Sequence, residues 1–146
     1  LISRLARVTL LLLTLFVLPP TYADESSVYV VAHTNTNIIK LSSAQLRKIV
    51  SMRQTVWPNG QPIVVYTLDS NNPVHQTLCI DLLNMFPYQV ERLWEKLAYS
   101  GLGEKPINVE SEKKMLEFIA KTPGAIGYVS DISKLTSLHK IIVVED

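Results

Sequence analysis

The sequence holds a single cysteine, Cys79, so no internal disulfide can form. Cys79 stands among Leu78, Ile80, Leu82 and Leu83. That setting reads as a buried small apolar group, because a reactive thiol needs an activating cation beside it. The three histidines, His33, His75 and His139, lie far apart, and no His/Cys/Asp cluster has metal-ligand spacing. Gly-x-Ser-x-Gly is absent and no Ser-His-Asp arrangement can be argued, so a hydrolase has no supporting residues. The chain is read as a non-enzyme that uses no cofactor. No basic block or stripe is present, which excludes nucleic acid as a partner. Repeats, low-complexity tracts and long linkers are missing too.

Long apolar runs are also lacking. The stretch Val8–Leu18 has 11 residues, where a membrane-spanning helix needs about 20. Arg4 and Arg7 precede it, Pro19 and Pro20 break it, and Thr21-Tyr22-Ala23 offers small residues before a cut. Positive end, short apolar centre and small-residue exit make a cleavable secretory signal peptide of residues 1–23, cut after Ala23. A membrane anchor is the disfavoured alternative, on length. The remaining residues, 24–146, form one domain large enough for a real core. Without Arg4 and Arg7 the basic residues fall one short of the acidic ones.

What is present is an alternation of strand and helix signals. Ser27–Ala32, rich in valine, predicts a buried first strand, followed by the polar loop His33–Asn37. Ser42 and Gln45 form a capping box, and Leu41 and Leu46 a hydrophobic staple, so a helix starts there with Leu46, Ile49 and Val50 on one face. Trp57-Pro58-Asn59-Gly60-Gln61-Pro62 is a turn, and Ile63–Leu68 a second strand. Asn72 before Pro73 starts another helix, in which Val74, Leu78 and Leu82 recur at four-residue spacing to about Met85. Pro87 starts the next, with Val90, Leu93, Trp94 and Leu97 apolar, ending at Ser100-Gly101. A short strand Ile107–Val109 leads to a helix capped by Ser111, with Met115, Phe118 and Ile119 on its apolar face.

Thr122-Pro123-Gly124 then stops that helix, and Ala125–Val129 follows as a buried strand. Gly127 inside that run marks a bulge or a close approach by another backbone. Lys140–Val144 is a final strand. The alternation predicts an α/β fold with a mostly parallel central sheet flanked by helices.

Two places in this frame are candidates for binding. The helix beginning at Pro73 points backbone donors and a partial positive charge outward, and Ser70, Asn71, Asn72 and His75 add side-chain donors. The plain alternative is a helix cap with no ligand. The second place is Thr34 and Asn35, in a loop at a strand's C-terminal end, where open α/β sheets hold ligands. An ordinary polar turn is the favoured reading of that loop. Trp57 and Trp94 read as turn and core packing rather than a sugar-stacking surface. Tyr128 reads as a buried strand tyrosine with a bonded hydroxyl.

Four stretches carry a family resemblance: Leu41-Ser42 with Leu46 and Ile49; Trp57-Pro58-Asn59-Gly60 with Pro62-Ile63; Trp94 with Ser100-Gly101 and Pro106; and Pro123-Gly124-Ala125-Ile126-Gly127-Tyr128-Val129. In order and spacing they resemble the phosphate-type periplasmic substrate-binding proteins of ABC importers, in a small single-lobe form. The resemblance implies one lobe of a type II periplasmic-binding-protein fold, a periplasmic location, and recognition of phosphate or a related small anion for an ABC importer or an envelope sensor protein. Any membrane contact would come through that partner.

The family's phosphate segment resembles Arg-Ser-Asp-Gly-Ser-Gly-Thr at a helix N-terminus. Leu68-Asp69-Ser70-Asn71-Asn72-Pro73-Val74-His75 matches it here, keeping Asp69 and Ser70 as residue types. The arginine and both glycines are replaced, which removes a bidentate charged clamp. Pro73 removes one more backbone donor. The implied site is weak, and the alternative is a ligand-free interaction module of the same fold docking on an envelope or membrane protein.

Overall fold

The structure, a computed structural model, describes residues 27–146. The expected signal segment lies outside the described residues. Chain order is β1 (Tyr29–His33), β2 (Lys40–Ser42), α1 (Ser43–Val50), β3 (Val64–Thr67), α2 (Pro73–Thr77) running into a π-helical turn (Leu78–Leu82), α3 (Pro87–Ser100), β4 (Ile107–Asn108), α4 (Glu112–Lys121), β5 (Ala125–Val129) and β6 (His139–Glu145). The six strands form one sheet in the order β2-β6-β1-β5-β3-β4. The expected α/β fold with a helix-flanked sheet is what the residues build.

Pairings β2–β6, β3–β5 and β3–β4 are parallel, while β1 is antiparallel to both β5 and β6. Five strands therefore run one way and β1 alone runs against them. Its register is Tyr29 opposite Val129 and Ala32 opposite Ile126. The three-residue β2 was not expected; it is short enough that the capping box beside it dominates the local pattern.

Alternate residues of β5 sort the helices onto two faces of the sheet. A side chain added at Gly127 would meet Met115 Sδ at 2.6 Å and Ile119 Cδ1 at 3.0 Å, so α4 lies on the Gly127 face. Here the close approach comes from side chains of α4 rather than from another backbone. The hydroxyl of Tyr128, the next residue, reaches His75 of α2 on the opposite face. Trp94 of α3 joins α1 there, its indole N–H donating to the Val50 carbonyl at 2.8 Å. All five residues of β5 are buried, so the Pro-Gly-Ala-Ile-Gly-Tyr-Val stretch is the spine of the core.

Local signals explain most boundaries. Ser42 and Gln45 make the reciprocal capping box, with Gln45 N–H on Ser42 Oγ at 3.1 Å and Ser42 N–H on Gln45 Oε1 at 3.0 Å. Ser111 caps α4 through Lys114 N–H, and α3 ends on left-handed Gly101. At Gly124, φ is +81° and a Cβ would collide with the Pro62 carbonyl oxygen. The Trp57 indole donates to the Gly124 carbonyl at 3.0 Å, which ties the tryptophan turn to the start of β5.

Two expectations are corrected. The helix from Pro73 does not run regularly to Met85: after Thr77 it widens into the π turn, where Leu83 N–H bonds the Leu78 carbonyl at 3.1 Å. That extra residue brings Leu83 into the core, 1 % exposed, instead of Leu82. Phe118 is 43 % exposed rather than core. It stacks on Tyr66, ring centroids 5.6 Å apart, at the side of α4 nearer β3.

Candidate functional site

The segment between β3 and α2 sits at the C-terminal edge of the parallel strands. Its shape follows from its side chains. Asp69 Oδ1 accepts from Asn71 N–H at 2.9 Å, and the Asp69 carbonyl accepts from Asn72 N–H at 2.9 Å. Asn72 caps α2, its Oδ1 accepting from Val74 N–H at 2.9 Å, with Pro73 in the first turn. Asp69 and Asn71 are exposed, and Ser70 and Asn72 half-buried. The loop is thus a self-satisfied Asx turn and cap. Several backbone donors that would face a ligand are held by its own oxygens.

His75 does not join that surface. It is 1 % exposed, and both ring nitrogens are engaged below the loop. Nδ1 lies 2.5 Å from the Tyr128 hydroxyl and Nε2 lies 3.4 Å from Cys79 Sγ. The Tyr128 oxygen accepts Leu68 N–H at 2.8 Å and lies 3.0 Å from Thr67 Oγ1. Thr67 Oγ1 donates to the Leu68 carbonyl at 3.1 Å, so the network closes in two ways: the Tyr128 hydroxyl donates to Nδ1, or it donates to Thr67 Oγ1 while Nδ1–H donates to the Tyr128 oxygen.

Burial lowers the His75 pKa, against the raising field of Asp69. Burial likewise pushes the Cys79 thiol up to about 12 and drives the Tyr128 hydroxyl up. A thiol so protonated is inert. The cluster Thr67–His75–Tyr128–Cys79 holds α2 to β3 and β5 and offers no group to a ligand. Sequence reasoning gave Tyr128 a bonded hydroxyl but could not name its partner, because residues 75 and 128 meet only in the folded chain.

Thr34 and Asn35, the second candidate place, lie at the other edge of the sheet from that loop. They follow β1, and β1 is antiparallel, so its C-terminal end lies at the N-terminal edge of the parallel strands. They are separated from the β3–α2 loop by about the length of a strand, roughly 13 Å at the usual rise per residue. Their own loop is closed by Thr34 N–H on the Leu138 carbonyl at 2.9 Å and Asn35 N–H on His33 Nδ1 at 3.2 Å. Asp69, Ser70, Asn71 and Asn72 are brought together; Thr34, Asn35 and His75 are not brought to them. Trp57 and Trp94 are 3 % and 7 % exposed, so neither offers a stacking surface.

Among the described residues no group of three or more His, Cys, Asp or Glu side chains is placed to hold a metal ion. No helix among them is long and apolar enough to cross a membrane.

No family model and no curated protein matches the sequence. Solved structures do match the fold. One is a phosphate ABC transporter substrate-binding protein with bound phosphate from Clostridium perfringens: 15% identity, 80% of this chain and 44% of that one, TM-score 0.62. A second is PstS from Borrelia burgdorferi, at 17% identity, 82% and 47% coverage and TM-score 0.63. A third is an ABC-type phosphate transport receptor from Vibrio cholerae, at 17% identity, 89% and 54% coverage and TM-score 0.58. The chain spans about half the length of these proteins. They are binding proteins rather than enzymes, and the architecture described above is the fold of part of such a substrate-binding protein.

Proposed function

We propose that this chain is an exported, non-enzymatic substrate-binding module that takes phosphate or a related small oxyanion weakly at the β3–α2 loop and works with an ABC importer or an envelope sensor. The observation that carries the reading is the overlap of four-fifths of the chain with a phosphate-bound substrate-binding protein. Within this chain the partly exposed Asp69–Asn72 loop at the C-terminal edge of β3 supports it, with Ser70 and the Asn71 and Asn72 side-chain amides as donors. The affinity is low for three physical reasons. No arginine is present in the segment, Pro73 supplies no N–H, and the Asp69 carboxylate repels an anion. Export rests on the leader read from Arg4 to Ala23.

Isothermal titration with phosphate and with sulfate tests the binding. Heat that saturates at millimolar phosphate is expected, and a flat titration at that concentration rejects the ligand. The second reading, an interaction module without a small ligand, is favoured by one observation: Asn71, Asn72 and Val74 N–H are all bonded inside the loop.

A further inference from the structure

Alpha-helix α4 is the helix that covers the Gly127 face, and it leaves a groove along its β6 side. The groove has a volume of about 570 Å³ and runs between α4 and the connection from β5 to β6. Leu116 and Ala120, one turn apart on α4, form its floor, and Leu138, 47 % exposed, faces them. His139 fastens the far wall: its Nε2–H donates to the Leu116 carbonyl at 2.8 Å, and Nδ1 accepts Thr136 N–H at 2.9 Å. The wall is therefore a bonded part of the fold.

The rim is basic. Lys113 and Lys121 of α4 and Lys134 of the connection line it, all exposed. Among the described residues the ion pairs are Lys40–Glu145 and Lys114–Glu117, so these three lysines have no paired carboxylate. Glu117 also lines the groove and feels Lys113 and Lys121, but its hydrogen-bonded partner is Lys114, at 3.0 Å. Asp131, whose field reaches Lys134, is tied to Ser133.

We propose that this groove docks an acidic amphipathic helix of a partner protein. The apolar floor accepts the partner's apolar stripe, and the small side chain of Ala120 lets the two backbones come close. The charges choose the partner. Lys113 and Lys121 are two turns apart, about 12 Å along α4. A single anionic headgroup would need its cations gathered at one end of the groove. Lysines spread along the length suit carboxylates repeated every second turn of a helix, on both flanks of its apolar stripe. The surface lies on the opposite side of the sheet from α2, so the inference holds whether or not the β3–α2 loop takes an anion.

The test uses the full chain and two labelled synthetic helical peptides with the same leucine stripe, one flanked by glutamates and one by lysines. Fluorescence anisotropy at low salt is expected to show the acidic peptide binding at least about tenfold tighter than the basic one, with binding that weakens as salt rises. In K113E/K121E, two exposed positions whose exchange leaves the core untouched, the preference is expected to reverse. Ala120→Trp, which fills the floor, is expected to abolish binding of both, with an unchanged circular dichroism spectrum as the check on folding. Equal binding of the two peptides, or an unchanged preference in K113E/K121E, overturns the proposal. Binding to phosphatidylglycerol vesicles without binding to either peptide also overturns it, and gives the groove to a lipid surface. Phosphate titration of K113E/K121E reads the β3–α2 loop separately, so the two readings fail independently.

Discussion

The Tyr128 hydroxyl lies 2.5 Å from Nδ1 of His75, joining the central strand β5 to the start of α2 through a buried hydrogen bond. Burial favours the neutral form of that imidazole. The buried His75 makes the stability of the domain sensitive to pH.

Burial lowers the folded-state pKa of His75 below the ordinary value of 6.5. The unfolded chain then binds a proton that the folded chain refuses. The stabilisation is full above pH 6.5 and is lost as the pH falls from there to the lowered folded value. Urea unfolding is expected to show a midpoint that drops between pH 7.5 and pH 5. In His75→Gln, which keeps a hydrogen-bonding side chain but cannot titrate, the domain starts less stable and that part of the drop disappears.

Gly127→Ala places a methyl carbon 2.6 Å from Met115 Sδ, the atom that accepts Tyr128 N–H at 3.1 Å. The flexible thioether can move, at the cost of that contact and of local packing. A loss of about 1–3 kcal/mol is expected. Adding Met115→Ala should relieve the collision, so the double variant is expected to be more stable than the sum of the two single losses. Chemical denaturation of all four proteins checks it.

Gly124→Ala meets a harder obstacle. The position has φ +81°, and the new methyl collides with the Pro62 carbonyl oxygen, which is backbone and cannot swing away. About 2–3 kcal/mol is expected to be lost. Trp57→Phe, which removes the indole donor to the Gly124 carbonyl and part of the buried ring, should cost about 1–3 kcal/mol. Thermal melts of the two variants rank them.

Asp69→Asn tests the oxyanion reading from the opposite direction to a knock-out. The amide oxygen can still accept Asn71 N–H and keep the turn, while the negative charge goes. Phosphate affinity is expected to rise by roughly two- to fivefold, the scale of one screened surface charge. An unchanged titration would show that the anion is not held beside Asp69.

For the leader, N-terminal sequencing of exported material is expected to begin at Asp24. Material beginning at Leu1 would contradict it.

Much of the fold was legible because its signals are local. Ser42 with Gln45, Asn72 with Pro73, Ser111, Gly101 and Gly124 each act within a few residues of themselves, and each marks a helix end where it was read. The candidate site was legible only in part. Asp69–Asn72 are consecutive, so their grouping needed no tertiary information. His75 looked available because a histidine one turn into a helix carries no mark of which side faces inward. The π turn was invisible for a related reason. Leu82 and Leu83 are both leucines, and only packing decided which of them the core would take. The groove beside α4 was not legible: the apolar face read on that helix was Met115, Phe118 and Ile119, and nothing local said that a wall would rise opposite Leu116 and Ala120.

The chain by itself determined where its helices start and that a strand would run through Ala125–Val129, because caps, turns and apolar runs act over short distances. The tertiary structure alone decided the direction of β1. A strand buried on both sides, such as Val30-Val31-Ala32, has the same apolar composition whichever way it runs. Pairing with β5 and β6 turned it against its neighbours, and that reversal carried Thr34 and Asn35 to the far edge of the sheet, away from Asp69.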